Sequence, residues 1–596
     1  MLSIRQAPQR SRVLELPEIL SGLLVLFVVL WEACFERLAT TDAAKLSFLR
    51  SSHLILCGLV WFNSAVVLVH VVSELCHSRA PGRFLWMQLI TGCLASFTFS
   101  GGVWHFLPFW CFWASVGLSF VIGTFSFINI GTYIRMGQKG PIRNGNRWSP
   151  SVIFFTYMVA MVLVSTLLLL TPGAAYEPLS VVDALFTCAS ATSITGLTVI
   201  NVAETLTPFG KFVLLLDIQV GALGVMTFSY LVLLMVGKKL NVRDSMSLSG
   251  LLDQEGVNII PALLKAVFAV TFVTEALGAV CLYFLWQGNP AVPQGALGAY
   301  AIFHAVSAFC NAGITLFPEG MAETALSHSY AVQGIMMLMM LAGTLGFGVH
   351  LEALMRVHRR LSGQSVSRRW STNTWLVVRV TLLTLLIGTL GMSLLGMLEP
   401  AHHGAPSAFN AWEAVWNSVG RSAGFNLTDI ADYGIVYKLF LCLMMFVGGN
   451  PAGTGGGVYA PVFALCVLEV FRVLRGATDV EIHNRRIARN TVERAMATLV
   501  LSILWIVFTV MLLLLLEPGL AAAKDGFIKT LFMEVSAYTT TGYDLGAVQE
   551  ISAPSKIIIS LNMLFGRVGM FTFMLIFIHQ KAPSPVRYPE TRLPLT

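Results

Sequence analysis

Long apolar runs alternate with short basic loops along this chain, and no other feature limits its possible folds as strongly. Runs such as 151–170 and 501–516 carry no charged residue, and about 20 apolar residues span the hydrocarbon core of a bilayer. Inside that core every backbone N–H and C=O needs an internal partner, so the runs read as helices. Of the 596 residues, 56% are hydrophobic and only 12% charged, which excludes a soluble globular domain and a disordered chain alike. The fold class is an all-α polytopic membrane protein.

The formal net charge of +7 sits in particular loops. Arg135, Lys139, Arg143 and Arg147 share one, and Lys238, Lys239 and Arg243 a second. Arg356, Arg359, Arg360, Arg368 and Arg369 form a third, and Arg472, Arg475, Arg485, Arg486, Arg489 and Arg494 a fourth. The alternate loops 172–180 and 287–300 carry no Lys or Arg, which is the positive-inside pattern. The excess charge therefore reports topology, and no nucleic-acid partner is expected. The ten cysteines show no paired spacing, so neither a disulfide framework nor a zinc site is expected. Arg5, Arg10 and Arg12 precede an apolar run at 19–30 that no small-residue cleavage site follows, so it reads as a first anchor rather than a signal peptide.

Twelve spans are expected, near 18–34, 52–76, 85–107, 109–134, 151–171, 207–236, 258–286, 330–356, 374–398, 434–471, 496–516 and 555–580. An even number puts both termini and all the strongly basic loops inside the cell. The first four spans, within residues 1–135, carry no recognisable motif.

Between some spans lie shorter apolar pieces of about twelve residues, too short to cross and therefore candidates for re-entrant segments. Four of these end in a small polar cluster with a glycine: Thr192-Ser193-Ile194-Thr195-Gly196, Phe309-Cys310-Asn311-Ala312-Gly313, Gly420-Arg421-Ser422-Ala423-Gly424 and Thr539-Thr540-Thr541-Gly542. The closing glycines stand 117, 111 and 118 residues apart, a near-constant period that marks a fourfold internal repeat. A glycine pair follows each cluster within the next long helix: Gly221 and Gly224, Gly343 and Gly346, Gly448 and Gly449, Gly566 and Gly569. Glycine is frequent in membrane helices, which accounts for single matches but not for four in register. The expected unit is helix, half-helix with a glycine turn, helix. It gives repeats over 150–247, 256–360, 370–475 and 490–580, followed by a cytosolic tail at 581–596.

A half-helix that turns back inside a bilayer leaves C-terminal carbonyls in need of a partner. A desolvated cation is such a partner. Four units around one axis would present rings of carbonyl oxygens that replace the hydration shell of a monovalent ion, assisted by the negative ends of four helix dipoles. Glycine readily takes the positive φ that swings successive carbonyls toward one axis. The candidate K⁺ ligands are the members of the four clusters, namely Thr192 to Gly196, Cys310 to Gly313, Arg421 to Gly424 and Thr539 to Gly542. In the third unit the inner helix is interrupted by Gly448-Gly449-Asn450-Pro451-Ala452-Gly453-Thr454-Gly455-Gly456-Gly457. Proline removes a donor there and the glycines remove helical preference. No continuous helix is expected there, and non-helical backbone at membrane depth is tolerated where it is buried or lines water, which fits a loop lying across the pore below the filter.

The segments 184–197, 303–314, 416–426 and 534–543 resemble the four pore loops of the Trk/Ktr/HKT superfamily of potassium transporters. The motifs Gln219-Val220-Gly221-Ala222-Leu223-Gly224, Gly455-Gly456-Gly457 and Gly566-Arg567-Val568-Gly569 are similar to its inner-helix motifs. The resemblance implies a pore-forming subunit in the lipid membrane, usually a homodimer with one pore per protomer, often controlled by a cytosolic nucleotide-binding ring. Within that family a serine at the first filter glycine goes with sodium selectivity and glycine in all four loops with potassium, so Gly196, Gly313, Gly424 and Gly542 imply potassium. The stretch 448–457 resembles the family's intramembrane gating loop, with departures at Gly453 and Tyr459, where the family has serine and lysine. The resemblance also places Arg567 just under the filter. There its charge would raise the barrier to cations and hold the loop through its carbonyls; the bland alternative is an arginine that staples helices.

Other intramembrane polar residues read as scaffold. Arg421 is expected behind the filter, braced by a carboxylate such as Glu413 or Glu534. Asp217, Glu275 and Arg379 are expected to pair with one another or with neighbours, and His105, His304 and His350 to be hydrogen-bonded scaffold. The acids Glu319, Glu323, Asp429 and Asp432 lie in outer loops, where they concentrate cations or keep the loop solvated. No Walker A, His-Glu-x-x-His or Gly-x-Ser-x-Gly pattern occurs, so an enzyme is not expected. Two rivals are a secondary transporter, which predicts twofold inverted repeats, and the potassium-binding subunit of an ATP-driven pump, which shares this architecture and needs an ATPase partner.

Overall fold

A computed structural model describes residues 150–235, 260–363, 370–398, 411–451, 453–482, 485–570 and 574. The first four expected spans, the Lys238 loop and the tail lie outside the described residues, so the total of twelve spans and the side of each terminus do too.

The described residues are helical apart from short loops and a two-residue hairpin, β1 Glu481–Ile482 with β2 Arg485–Arg486. In chain order the main helices are α1 Pro150–Leu169, α2 Val181–Ser193, α3 Pro208–Met235, α4 Ile260–Leu285, α5 Leu297–Cys310, α6 Tyr330–Thr344, α7 Phe347–Leu361, α8 Thr372–Leu398, α9 Ala411–Gly420, α10 Ile435–Phe446, α11 Ala460–Leu474, α12 Arg489–Leu516, α13 Gly526–Tyr538 and α14 Ala553–Val568. The 27 residues of α8 rise about 40 Å at 1.5 Å each, enough to cross a bilayer. The 28 residues of α12 do the same.

These helices are apolar outward as well as inward. Along α8, Leu382, Leu386, Leu390 and Leu394 are exposed while Thr381, Thr384, Gly388 and Met392 are buried. Small and hydroxylated residues on the packed side with leucine outside is the reverse of a water-soluble helix, and it fits helices solvated by lipid. With this pattern, the chain is an integral membrane protein.

Three sequence-expected spans are broken. Gly224, with φ 66°, kinks α3. Gly346, with φ 82°, parts α6 from α7 at a bend of 96°. The expected span 434–471 is two helices, α10 and α11, separated by the glycine-rich loop.

The short helices are the most buried elements. Every residue from Phe186 to Ser193 in α2, from Phe303 to Cys310 in α5, from Trp416 to Gly420 in α9 and from Phe532 to Tyr538 in α13 is buried. The start of α2 is set by Ser180, whose hydroxyl accepts the Asp183 amide at 3.1 Å, with Asp183 in the first turn where the dipole favours an acid. The packing order closes on itself. Helix α3 packs on α5, α6 on α9, α10 on α13, and α14 returns to α2. Lys556 of α14 ties this last contact to α2 through an ion pair with Asp183 at 2.7 Å.

Candidate functional site

The four cluster glycines meet. All take positive φ: Gly196 94°, Gly313 67°, Gly424 71° and Gly542 97°. A β-carbon on Gly196 would collide with the carbonyl oxygen of Ala312, one on Gly313 with that of Ala423, one on Gly424 with that of Thr541, and one on Gly542 with that of Thr195. Each glycine thus lies against the carbonyl preceding the next glycine, and the fourth lies against the first. The result is a closed ring of four turns with a carbonyl at every junction. Glycine is required twice over, by the sign of φ and by the close approach of the neighbouring backbone.

How the turns are built follows from the helix ends. In three of the four, the residue two before the glycine takes the left-handed conformation: Ile194 at φ 61°, Asn311 at 59° and Thr540 at 51°. The chain then turns back, and the next amide reaches the carbonyl five residues earlier: Thr195 to Ser190 at 2.8 Å, Ala312 to Ser307 at 2.8 Å and Thr541 to Ser536 at 2.9 Å. This is the closure of a Schellman-type helix end. In α9 the amides of Ala423 and Gly424 both use the Gly420 carbonyl, at 2.8 Å each.

Sequence reasoning passed over one element of the ring. A serine stands six residues before every ring glycine: Ser190, Ser307, Ser418 and Ser536. The hydroxyls of Ser190 and Ser536 accept the Gly196 and Gly542 amides, both at 3.0 Å. Ser307 donates to the Ile314 carbonyl at 2.7 Å and Ser418 to the Leu385 carbonyl at 3.0 Å. The fixed offset from the glycines was the signal available. Further bonds stiffen the wall: Ser193 to Thr195 at 2.7 Å, Thr539 to Thr541 at 2.9 Å, and Thr541 to the Arg421 carbonyl at 2.9 Å. The hydroxyls of Thr192 and Thr540 are buried with no hydrogen-bond partner among the described residues.

The glycine pairs divide into two jobs. Gly221, Gly343 and Gly566 lie against the carbonyls of Thr192, Phe309 and Tyr538, at the C-terminal ends of the short helices, where any β-carbon would clash. Their partners Gly224, Gly346 and Gly569 take φ 66°, 82° and 85° and break or end the helix. In the third unit Gly448 and Gly449 instead pack on Gly455 and Gly456 of the interrupted stretch.

That stretch is a loop closed on itself. Val447 bridges to Val458, and the Gly448 amide donates to the Val458 carbonyl at 2.8 Å. It is held from several sides. The Thr454 amide donates to the Gly343 carbonyl at 3.1 Å, and Asn450 reaches the Thr344 carbonyl and the Thr381 hydroxyl, both at 3.0 Å. Asn311 donates to the Thr454 hydroxyl at 2.6 Å. Gly456 and Gly457 lie against Thr540 and Thr539, and Gly453 against the Thr344 carbonyl. The buried Arg567 completes the cradle, donating to the Thr454 carbonyl and, at 3.2 Å, to that of Gly221.

Arg421 differs from expectation. Its guanidinium donates to the carbonyls of Met444 and Val447, at and beyond the end of α10, where unpaired carbonyls and the helix dipole attract a cation. The two carboxylates proposed for it are engaged elsewhere. Glu534 accepts from Thr509 at 2.6 Å and Asn562 at 2.8 Å, and Glu413 from Thr428 and Tyr433. Glu275 accepts from Gln219 at 3.2 Å and Arg379 lies 4.0 Å over the Trp375 ring, so neither bonds the other. His304 bridges the Tyr300 carbonyl and the Leu316 amide, and His350 contacts the Ala342 carbonyl at 2.7 Å. His105 lies outside the described residues. No cluster of three metal-ligating side chains occurs among the described residues.

Fold and site thus define a helical membrane protein built around a ring of four glycine turns. Residues 149–586 match the sequence profile described as "TrkH: Cation transport protein", and the chain belongs to that family. It is 30% identical over 469 residues to the Ktr system potassium uptake protein B of Vibrio alginolyticus, across 77% of this chain and 96% of that protein. It is 28% identical over 424 residues to the potassium/sodium uptake protein NtpJ of Enterococcus hirae, across 70% and 89%. The potassium transporter TrkH from Vibrio parahaemolyticus superposes with a TM-score of 0.55 at 17% identity, covering 89% of this chain and 98% of that one, which establishes a shared fold.

Proposed function

We propose that the chain carries K⁺ into the cell through the ring, with four tandem helix–half-helix–helix repeats surrounding one pore. The observation that carries this reading is the closed circuit in which each ring glycine abuts the next carbonyl. Carbonyls fixed in that way replace the hydration shell of an ion without reorganising, and the C-terminal dipoles of α2, α5, α9 and α13 point negative ends at it. The ligands are the carbonyls of the four clusters, except that of Arg421, which accepts the Thr541 hydroxyl, together with the unpartnered hydroxyls of Thr192 and Thr540. Glycine at all four positions favours K⁺ over Na⁺.

The loop from Gly448 to Gly457 is the gate and Arg567 its latch. The guanidinium holds the loop through Thr454, and its charge opposes cation passage below the ring. Arg421 supports the ring from behind rather than binding the ion. The pore-forming chain works as a homodimer, with a cytosolic nucleotide-binding ring as regulatory partner, in the plasma membrane with both termini cytoplasmic. The relatives named as potassium uptake proteins support the ion and the direction.

Growth tests the reading. The chain should restore growth at low external K⁺ to a bacterium lacking its own uptake systems. Purified and alone in liposomes, it should admit ⁸⁶Rb⁺ down a K⁺ gradient without ATP. Flux that needs ATP and a second protein would make it a pump subunit, and flux that needs a proton or sodium gradient a coupled carrier.

A further inference from the structure

Helix α7 is amphipathic, and its apolar side is uncovered among the described residues. Leu354, Val357 and Leu361 follow the i, i+3, i+7 spacing of one stripe, with Arg356, Arg359 and Arg360 on the other side. That stripe is 46%, 55% and 83% exposed. In water such a row would be costly. The polar side ties the helix to the start of α8. Glu352 accepts the Ser371 amide at 3.0 Å and its hydroxyl at 2.7 Å, at the start of α8, and pairs with Arg356 at 3.0 Å. Arg356 in turn lies 4.1 Å over the Trp370 ring. The first turn of α7 is also held by apolar packing, with Phe347 buried and α7 against α4, and Leu354, Val357 and Leu361 are left facing outward among the described residues.

Direction matters as much as pattern. Helix α7 leaves α6 at 96°, so where α6 runs along the bundle, α7 lies across its end. A helix in that plane, with an apolar stripe and flanking arginines, has the form of an interfacial membrane helix. The arginines belong to the basic loop expected on the cytoplasmic side, where the leaflet is anionic. We propose that α7 is a strap docked on the inner leaflet, its leucines in the acyl boundary and Arg359 and Arg360 on anionic headgroups, and that this lipid contact sets the position of the gating loop. A second copy of the chain fits the face less well, because pairing two such stripes would bring like arginines together.

The link to the loop is short. The carbonyls of Gly343 and Thr344, the last residues of α6, hold Thr454 at 3.1 Å and Asn450 at 3.0 Å. Only Leu345 and Gly346 separate them from α7. Moving α7 on the membrane therefore moves the two acceptors that secure the loop. This regulatory part rests on the reading of the loop as a gate.

The test uses the full chain in vesicles of phosphatidylcholine alone or mixed with phosphatidylglycerol. Backbone amide exchange over 347–361 and ⁸⁶Rb⁺ uptake are measured together. Phosphatidylglycerol should slow exchange across α7 at least tenfold and change flux several-fold. The double variant Arg359→Gln with Arg360→Gln should lose both responses, since two cations near an anionic surface amount to about thirtyfold in partitioning. Exchange that is equal in the two vesicle types, or equally lipid-dependent in the variant, overturns the docking. Exchange that follows protein-to-lipid ratio instead of headgroup also overturns it, in favour of a second copy. Lipid-dependent exchange with lipid-independent flux overturns the coupling. Exchange does not require transport, so a chain silent toward Rb⁺ would defeat the transport reading and leave the docking supported or refuted on its own data.

Discussion

Removing the Arg567 guanidinium should free the loop. The group donates to the Thr454 carbonyl on the loop and to the Gly221 carbonyl on α3, the latter at 3.2 Å, and the residue is 9% exposed. A hydrogen bond from a charged donor contributes about 1.5–3 kcal/mol. The Gly221 bond is long for a charge-assisted one and counts at the lower end. Arg567→Ala thus removes about 3 kcal/mol from the closed arrangement, or on the order of a hundredfold in the ratio of closed to open. A loop open a tenth of the time or less would then gain about tenfold or more in K⁺ flux. The K⁺/Na⁺ preference should stay as it is, because no bond of the ring involves this side chain. The assay is initial ⁸⁶Rb⁺ uptake into K⁺-loaded liposomes, with Na⁺ as competitor. Arg567→Lys separates latch from charge, since lysine keeps the positive charge and loses the planar fork. It should also raise flux, by less. Unchanged flux in the alanine variant, or wild-type flux in the lysine variant, would refute the latch.

Asn311→Gly tolerates the φ of 59° and deletes the amide that holds Thr454 at 2.6 Å; flux should rise about fivefold, one hydrogen bond's worth. Combined with Arg567→Ala it should give less than the product, because both release the same loop. Ser190→Ala and Ser536→Ala each strand a ring amide now held at 3.0 Å, a loss of about 1 kcal/mol. Na⁺ competition against ⁸⁶Rb⁺ should sharpen in both. Lys556→Met removes the 2.7 Å pair that ties α14 to α2, with side chains 16% and 26% exposed. The thermal midpoint in detergent should fall by a few degrees, for about 1 kcal/mol, and the difference should shrink at high salt.

Much of the site was legible because four turns with one geometry need the same residue. The period of the cluster glycines and the Gly-Pro interruption at 448–457 are written in residue type, and residue type is what a sequence shows. Which glycine abuts which carbonyl is not, since Gly196 and Ala312 meet only after two helices have packed. The paired glycines were visible, but not that Gly221 makes room for the Thr192 carbonyl while Gly224 supplies a positive φ. Ser190 and its counterparts were missed because serine in an apolar helix ordinarily bonds its own backbone. For Arg421 the expectation of a carboxylate failed because a helix end offers carbonyls that sequence cannot display as charge. The bend at Gly346 escaped notice because a hydrophobic run reads the same whether straight or broken.

The central claim is that the glycine ring is the K⁺ filter, and Gly196→Ser tests it most directly. A β-carbon there would push against the Ala312 carbonyl from a residue held at φ 94°, displacing one carbonyl of four, while no hydrogen bond of the loop or of Arg567 is made by Gly196 itself. ⁸⁶Rb⁺ uptake into liposomes holding this chain should be blocked by K⁺ and not by Na⁺ in the wild type, and by both in the variant. Equal discrimination in wild type and variant would contradict the account, and the ring would then be scaffold around a path that lies elsewhere.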